Sequence, residues 1–109
     1  MVSINDFLQL DLRIGKIIEV EKHEKAKKPM YKLKVDLGDL GVRQIIAGIA
    51  DKYTKEELLN KFVVVVANLD PKEIAGELSN GMLLAAEDES GTVALLAPDK
   101  EVKVGSLVH

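Results

Sequence analysis

Residues 62–86 contain two apolar runs that are separated by a polar segment with several turn-forming residues. The first run, Val63–Val66, is β-branched throughout and too short for a helix, so it predicts a strand that is buried on both faces. The second run, Met82–Ala86, predicts the next strand. Pro71 and Gly76 between the runs favour a reversal of the chain. Small polar side chains are therefore expected between two rigid strands.

Further strands are predicted on both sides of this pair. Alternation of apolar and polar residues predicts strands at Leu12–Val20 and Met30–Leu37, and further strands are predicted at Val42–Ala50 and Thr92–Leu96. Gly15 is interpreted as a bend or bulge in the first of them. The alternation in the second strand predicts that Lys32 and Lys34 point to solvent together.

Two capping patterns predict short helices. Ser3 with Asp6 indicates a helix near the N-terminus, which either covers one end of the core or joins an interface. Thr54 with Glu57 is a capping box that predicts a second helix before the buried strand. The chain after Pro98 is expected to be an irregular extension.

Composition limits the classes of protein that the chain can belong to. A length of 109 residues with 47% hydrophobic and 30% charged residues indicates one folded domain over residues 1–109. Four aromatic residues are too few for a stacking platform of the kind that many single-strand binders use. Without cysteine, a signal-peptide pattern or a long apolar run, we expect an intracellular, cytoplasmic protein that does not enter a membrane.

Charge is segregated along the chain. The formal net charge is −3, but residues 22–34 hold six lysines and one glutamate, about +5, so the remainder carries about −8. A basic patch on an acidic body attracts a polyanion to one place. The alternative interpretation is a solvated, lysine-rich loop without a function.

The sequence predicts neither catalysis nor a cofactor. The two histidines, His23 and His109, lie in the lysine-rich segment and at the last residue, so no oriented base is available for a nucleophile. Glu87, Asp88 and Glu89 are the only candidates for a carboxylate metal site, and a solvated turn is the favoured interpretation. We therefore expect no enzyme activity, no metal and no cofactor.

Several separated motifs resemble one family. They are Asp11, Arg13, Ile14, Gly15 and Ile17; Val35, Asp36 and Gly38; Arg43, Gln44, Ile45, Gly48 and Ile49; the 62–86 segment; and Leu95, Leu96, Pro98, Asp99, Val102, Gly105 and Val108. Over residues 11–108 the chain resembles the tRNA-binding domain found in many methionyl-tRNA synthetases, in stand-alone tRNA-binding proteins and in CsaA-type chaperones. The resemblance implies an all-β, five-stranded OB-fold barrel with a short helix between strands 3 and 4. It also implies a homodimer that recognises the outer corner of tRNA.

Candidate RNA-binding residues follow from the chemistry that RNA needs and from this resemblance. Lys28, Lys32 and Lys34 supply cations for phosphate. Asn68 and Ser79 supply donors and acceptors, and in the family these positions line the RNA-facing groove together with Met82. The alternatives are turn stabilisation for Asn68 and Ser79, and a core position for Met82.

Two departures from the family pattern concern its polar segment and its second motif. Asp70 and Glu73 stand where the family usually carries basic residues, so Lys72 is the only cation there. Residues 27–33 follow the chaperone version of the second motif, whereas residues 79–83 follow the synthetase version.

Three hypotheses of function result. The first is a non-catalytic tRNA-binding protein that serves a methionyl-tRNA synthetase catalytic subunit as a separate β subunit and raises its tRNA affinity. The second is a CsaA-like export chaperone that binds unfolded polypeptide. The third is an adaptor that docks its lysines on an acidic protein.

Overall fold

The computed structural model describes all 109 residues and contains short helices, one main sheet and two hairpins. The helices are α1, Ile4–Phe7, and α2, Lys55–Leu58, and a 3-10 turn covers Gly38–Leu40. The strands are β1, Leu12–Lys22; β2, Tyr31–Asp36; β3, Val42–Ala47; β4, Phe62–Val66; β5, Lys72–Ile74; β6, Glu77–Ser79; β7, Met82–Leu83; β8, Ala85–Glu87; β9, Val93–Leu95; and β10, Leu107–Val108.

Five antiparallel strands in the order β3-β2-β1-β4-β7 curl into a nearly closed barrel. Between β3 and the segment that enters β7, the gap is bridged by two hydrogen bonds. The Asn80 backbone N–H donates to the Gln44 carbonyl at 2.8 Å, and the Ile46 N–H donates to Ser79 Oγ at 2.9 Å. The predicted all-β, OB-like barrel of five strands is confirmed.

The long strand β1 curves so that it can pair with several neighbours. Its first half pairs with β4 and, at Leu12 and Arg13, with β10, while its second half pairs with β2. The register shifts between Ile17 and Glu19, so the bulge predicted at Gly15 is wrong. Gly15 is needed for packing instead, because an added Cβ would lie 2.6 Å from Val35 Cγ1.

The run Val63–Val66 is buried throughout, as its β-branched sequence predicted. Val63 and Val65 face the barrel interior and belong to the same apolar cluster as Leu33 and Ile45. Val64 lies on the outer side, where it borders a cleft under the C-terminal extension. Both faces of the strand are therefore covered by other parts of the chain.

Both predicted helix caps are confirmed. Ser3 Oγ accepts from the Asp6 N–H at 3.1 Å, and Thr54 and Glu57 form a reciprocal capping box. Leu58 of α2 is fully buried and closes one end of the barrel. No residue of α1 is buried, so the hypothesis that this helix covers the core is wrong.

The polar segment between β4 and β7 contains a hairpin that the sequence did not indicate. Strands β5 and β6 pair only with each other, and the chain reverses between them at Ala75 and Gly76, which both have positive φ. The predicted strand Met82–Ala86 is divided into β7 and β8, because β7 pairs with β4 and β8 turns away to pair with β9.

Candidate nucleic-acid interface

The β5–β6 hairpin forms one wall of an open groove on the barrel surface. The groove has a volume of about 480 Å³. Its lining residues are Ile46, Leu69, Asp70, Lys72, Ile74, Ser79, Gly81 and Met82. Three of the predicted site residues, Lys72, Ser79 and Met82, therefore lie together. Met82 is exposed, so the alternative that it is a core residue is wrong.

Ser79 is buried and its hydroxyl is already used within the protein. Ser79 Oγ accepts from the Ile46 N–H and donates to the Gly81 carbonyl at 3.3 Å. These bonds hold the edge of β3 against the hairpin. The Ser79 hydroxyl is therefore not free to bind a ligand in the groove.

Asn68 does not line the groove. Its Oδ1 accepts from the Asp11 N–H at 2.8 Å, and its Nδ2 donates to the Gln9 carbonyl at 2.6 Å. The side chain therefore ties the segment before β1 to the end of β4. This arrangement corresponds to the alternative in which Asn68 stabilises the backbone.

Lys32 and Lys34 point out of the barrel as predicted, but both have partners in the protein. Lys32 Nζ lies 3.7 Å from Glu21 Oε2 and 3.9 Å from Glu77 Oε2. Lys34 Nζ donates to Gln44 Oε1 at 3.1 Å. The hydrogen bond that Gln44 Nε2 donates, followed by the charge of Lys32, lowers the pKa of Glu77, so this carboxylate keeps its charge beside Lys32.

Lys28 belongs to an exposed basic loop between β1 and β2. The loop, residues 23–29, carries the exposed lysines Lys25, Lys27 and Lys28, and the exposed Lys22 ends β1 beside it; none of these four forms an ion pair. Their charge is available to a ligand, whereas that of Lys32 is partly neutralised. Lys28 therefore fits the predicted phosphate contact better than Lys32 does.

His23 connects this basic loop to the groove, a connection that sequence analysis missed. The ring is buried, and its Nε2 lies 2.8 Å from the Ile74 carbonyl of β5. Ile74 also lines the groove. The contact joins residues that are 51 positions apart, so no local pattern could have shown it.

Gln44 is a second connection that was missed. Its Nε2 donates to Glu77 Oε1 at 3.1 Å and to the Leu78 carbonyl at 3.0 Å. In the sequence, Gln44 is only one residue of a family-like motif. The structure shows that it fixes the hairpin to β3.

Other candidate chemistry is not assembled into a site. Asp88 Oδ1 accepts from the backbone N–H groups of Ser90 and Thr92, so the acidic segment is a hairpin turn. No group of three or more histidine or acidic side chains lies close enough to hold a metal ion. The helices are all too short to cross a membrane.

The barrel and its basic loop, whose lysines form no ion pair, define a class of protein: a small OB-like module with a localised basic surface that suits a polyanion. The sequence profile of the family described as "Putative tRNA binding domain" matches residues 12–107. The chain therefore belongs to the tRNA-binding-domain family, as the sequence motifs predicted. The matched domain is a binding domain and not a catalytic one.

Curated relatives are methionine-tRNA ligases. Those from Pyrococcus abyssi (strain GE5 / Orsay) and Thermococcus onnurineus (strain NA1) are 59% and 53% identical over 108 residues, 99% of this chain. The chain spans only 14% of the length of each of these relatives. The similarity thus concerns one domain of a much longer enzyme.

Solved structures with the same fold come from two kinds of protein. The CsaA chaperone protein from Picrophilus torridus superimposes with a TM-score of 0.92 and 40% identity, and the match covers 100% of both chains. The MetRS-related protein from Pyrococcus horikoshii gives a TM-score of 0.91 and 38% identity over 100% of this chain and 98% of that one.

Proposed function

We propose that this protein binds folded tRNA without catalysis and acts in trans to raise the tRNA affinity of a methionyl-tRNA synthetase catalytic subunit. The observation that carries the proposal is the unpaired basic loop beside an apolar groove in a member of the tRNA-binding-domain family. The cellular compartment of this function is the cytoplasm, where tRNA is aminoacylated.

We assign the binding of RNA phosphates to the basic loop and the binding of bases to the groove. Lys25, Lys27 and Lys28 neutralise phosphates, each adding roughly one unit to the slope of log affinity against log salt concentration. Lys72 adds a further cation at the groove. Leu69 and Met82 offer exposed apolar surface to an unstacked base, which is the usual way in which proteins read irregular RNA.

A homodimer is part of the proposal. The segment before β1 exposes the apolar side chains of Ile4, Phe7, Leu8 and Leu10, more than a monomer needs to leave in water. Pairing two chains through this segment would place two basic loops on one particle. Two modest sites on one folded RNA then act at high effective concentration.

The second candidate function is a chaperone for unfolded polypeptide. The specific observation in its favour is the full-length match to the CsaA chaperone protein, together with the apolar lining of the groove. Polypeptide would use the groove and would leave the basic loop unoccupied. The two functions therefore differ in which part of the surface they use.

An equilibrium titration with competitors separates these functions. We expect bulk tRNA to bind and to be displaced poorly by RNA duplex or by an unfolded polypeptide. Adding the protein to a methionyl-tRNA synthetase that lacks such a domain should lower the KM for tRNA with kcat unchanged. Binding of polypeptide without tRNA would refute the proposal and support the chaperone function.

A further inference from the structure

The β5–β6 hairpin is attached to the barrel by side chains and not by extension of the main sheet. It pairs only with itself, and its other attachments are the side chains of His23, Gln44 and Lys32 and, at its end, the hydroxyl of Ser79. Because the hairpin carries Lys72 and Ile74, these attachments decide where one wall of the groove lies.

His23 differs from the other attachments because it also organises the basic loop. Its backbone N–H donates to the Met30 carbonyl at 2.9 Å, and its own carbonyl accepts from the Ala26 N–H at 3.2 Å. Its ring is only 3% exposed and faces the Ile74 carbonyl. A carbonyl can only accept, so Nε2 carries the proton in this contact.

We propose that His23 is a positioning residue for the tRNA interface: it fixes the basic loop and the groove hairpin relative to each other, so that both contact one RNA. This inference rests on the proposed function. The geometric part of the inference, a hairpin held by the His23 ring, stands on the hydrogen bond and the burial alone.

Positioning of this kind acts on binding through entropy. A loop whose lysines already lie beside the groove meets the RNA phosphates without first being ordered, so less free energy is lost on association. Without the link, Lys28 would still carry its charge, but part of its attraction would be offset by the ordering of the loop. The effect of removing Lys28 should then depend on whether His23 is present.

Two replacements of His23 separate the hydrogen bond from the space that the ring fills. His23→Gln keeps an N–H donor, whereas His23→Leu keeps apolar bulk without a donor, and His23→Met is a second donor-free variant should the leucine variant not fold. Hydrogen exchange of the backbone amides at 72–79, measured without RNA, reports the hairpin directly. We expect exchange there to accelerate about 2- to 10-fold in His23→Leu, the range for one hydrogen bond, and less in His23→Gln.

The second readout is tRNA affinity in a double-mutant cycle. We expect His23→Leu to weaken binding by about 2- to 10-fold and His23→Gln to restore most of it. Lys28→Ala should weaken tRNA binding less in the His23→Leu background than in the parent, because the two residues are coupled. Lys103→Ala, in the C-terminal extension, should have the same effect in both backgrounds.

The outcomes distinguish this inference from the proposed function. Unchanged exchange at 72–79 in the donor-free variants overturns the positioning role, whether or not tRNA binds. Faster exchange combined with additive effects of His23→Leu and Lys28→Ala on tRNA affinity also overturns the positioning role. In that case His23 would hold the hairpin, but this contact would not be coupled to tRNA binding. If the parent does not bind tRNA at all, the proposed function fails, and with it the claim that both parts contact one RNA.

Discussion

At the scale of single residues, two polar side chains predicted to contact RNA, Asn68 and Ser79, hold distant parts of the chain together. Ser79 completes the barrel, because the Ile46 N–H at the free edge of β3 has the Ser79 hydroxyl as its acceptor.

Ser79→Ala should therefore destabilise the fold more than it alters an RNA contact. Leaving the buried Ile46 N–H without an acceptor costs about 1–3 kcal/mol of unfolding free energy, measurable by urea denaturation. Ser90→Ala, in an exposed turn, is the matched control and should stay within about 0.5 kcal/mol of the parent. Parent-like stability of Ser79→Ala combined with weakened tRNA binding would contradict this role.

Glu77 limits the contribution of Lys32 to RNA binding. Glu77→Gln should release Lys32 from one of its two anionic partners and increase the salt slope of tRNA binding by up to roughly one unit. Glu73→Gln removes the same charge from the same hairpin without touching an ion pair and serves as control. The difference between the two variants should disappear when Lys32→Ala is added; persistence of the difference would show that Lys32 is not the cause.

At the scale of elements, the four-residue helix α2 depends on its capping box. The pKa of Glu57 is lowered mainly because the Thr54 N–H donates to its carboxylate, and the Thr54 hydroxyl bond acts in the same direction. A lowered pKa in the folded state means that this stabilisation is present above the ordinary pKa of glutamate. It is lost as the pH falls through the lowered, folded-state value.

Thr54→Ala should lower the free energy of unfolding by about 1 kcal/mol at pH 7, the usual effect of losing an N-cap side chain. Between pH 7 and pH 3 its unfolding free energy should fall slightly less steeply than that of the parent, because the contribution of the Thr54 hydroxyl to the lowered Glu57 pKa is lost while that of the backbone N–H remains. Thr92→Ala, in an exposed turn, should leave the pH profile unchanged. A steeper fall of the unfolding free energy with falling pH in Thr54→Ala than in the parent would contradict the role assigned to the capping box.

The elements that could be predicted are those whose cause is local in sequence. The Val63–Val66 strand, the alternation of β2 and both caps follow from neighbouring residues. The β5–β6 hairpin and the bulge near Ile18 depend on how distant segments meet, as does the burial of His23. The groove residues were therefore predicted in part, whereas the contacts that shape the groove required the structure.

At the scale of the whole molecule, oligomeric state should affect tRNA affinity. Replacing Phe7 and Leu8 together by serine removes apolar area from the proposed interface without changing charge. Sedimentation should then report a monomer, and tRNA affinity should fall by about tenfold or more as the second site is lost. Leu40→Ser, an exposed apolar position elsewhere, is the control; a monomer that binds as tightly as the parent would refute the role of the dimer.

The separation of basic from acidic residues is a second property of the whole molecule that should affect RNA binding. An acidic protein that binds RNA must confine attraction to one region, and the basic loop is the region with unpaired lysines grouped together. Two triple variants with equal changes in net charge test this confinement. One replaces Lys25, Lys27 and Lys28 by alanine, and the other replaces Lys52, Lys100 and Lys103.

The most direct measurement is the tRNA dissociation constant of the parent and of both triple variants over a range of salt concentrations. The loop variant should lose affinity, and its salt slope should fall by roughly two to three units, while the control variant keeps a slope near that of the parent. Equal losses in the two variants, or no loss in the loop variant, would contradict a tRNA interface built on the basic loop.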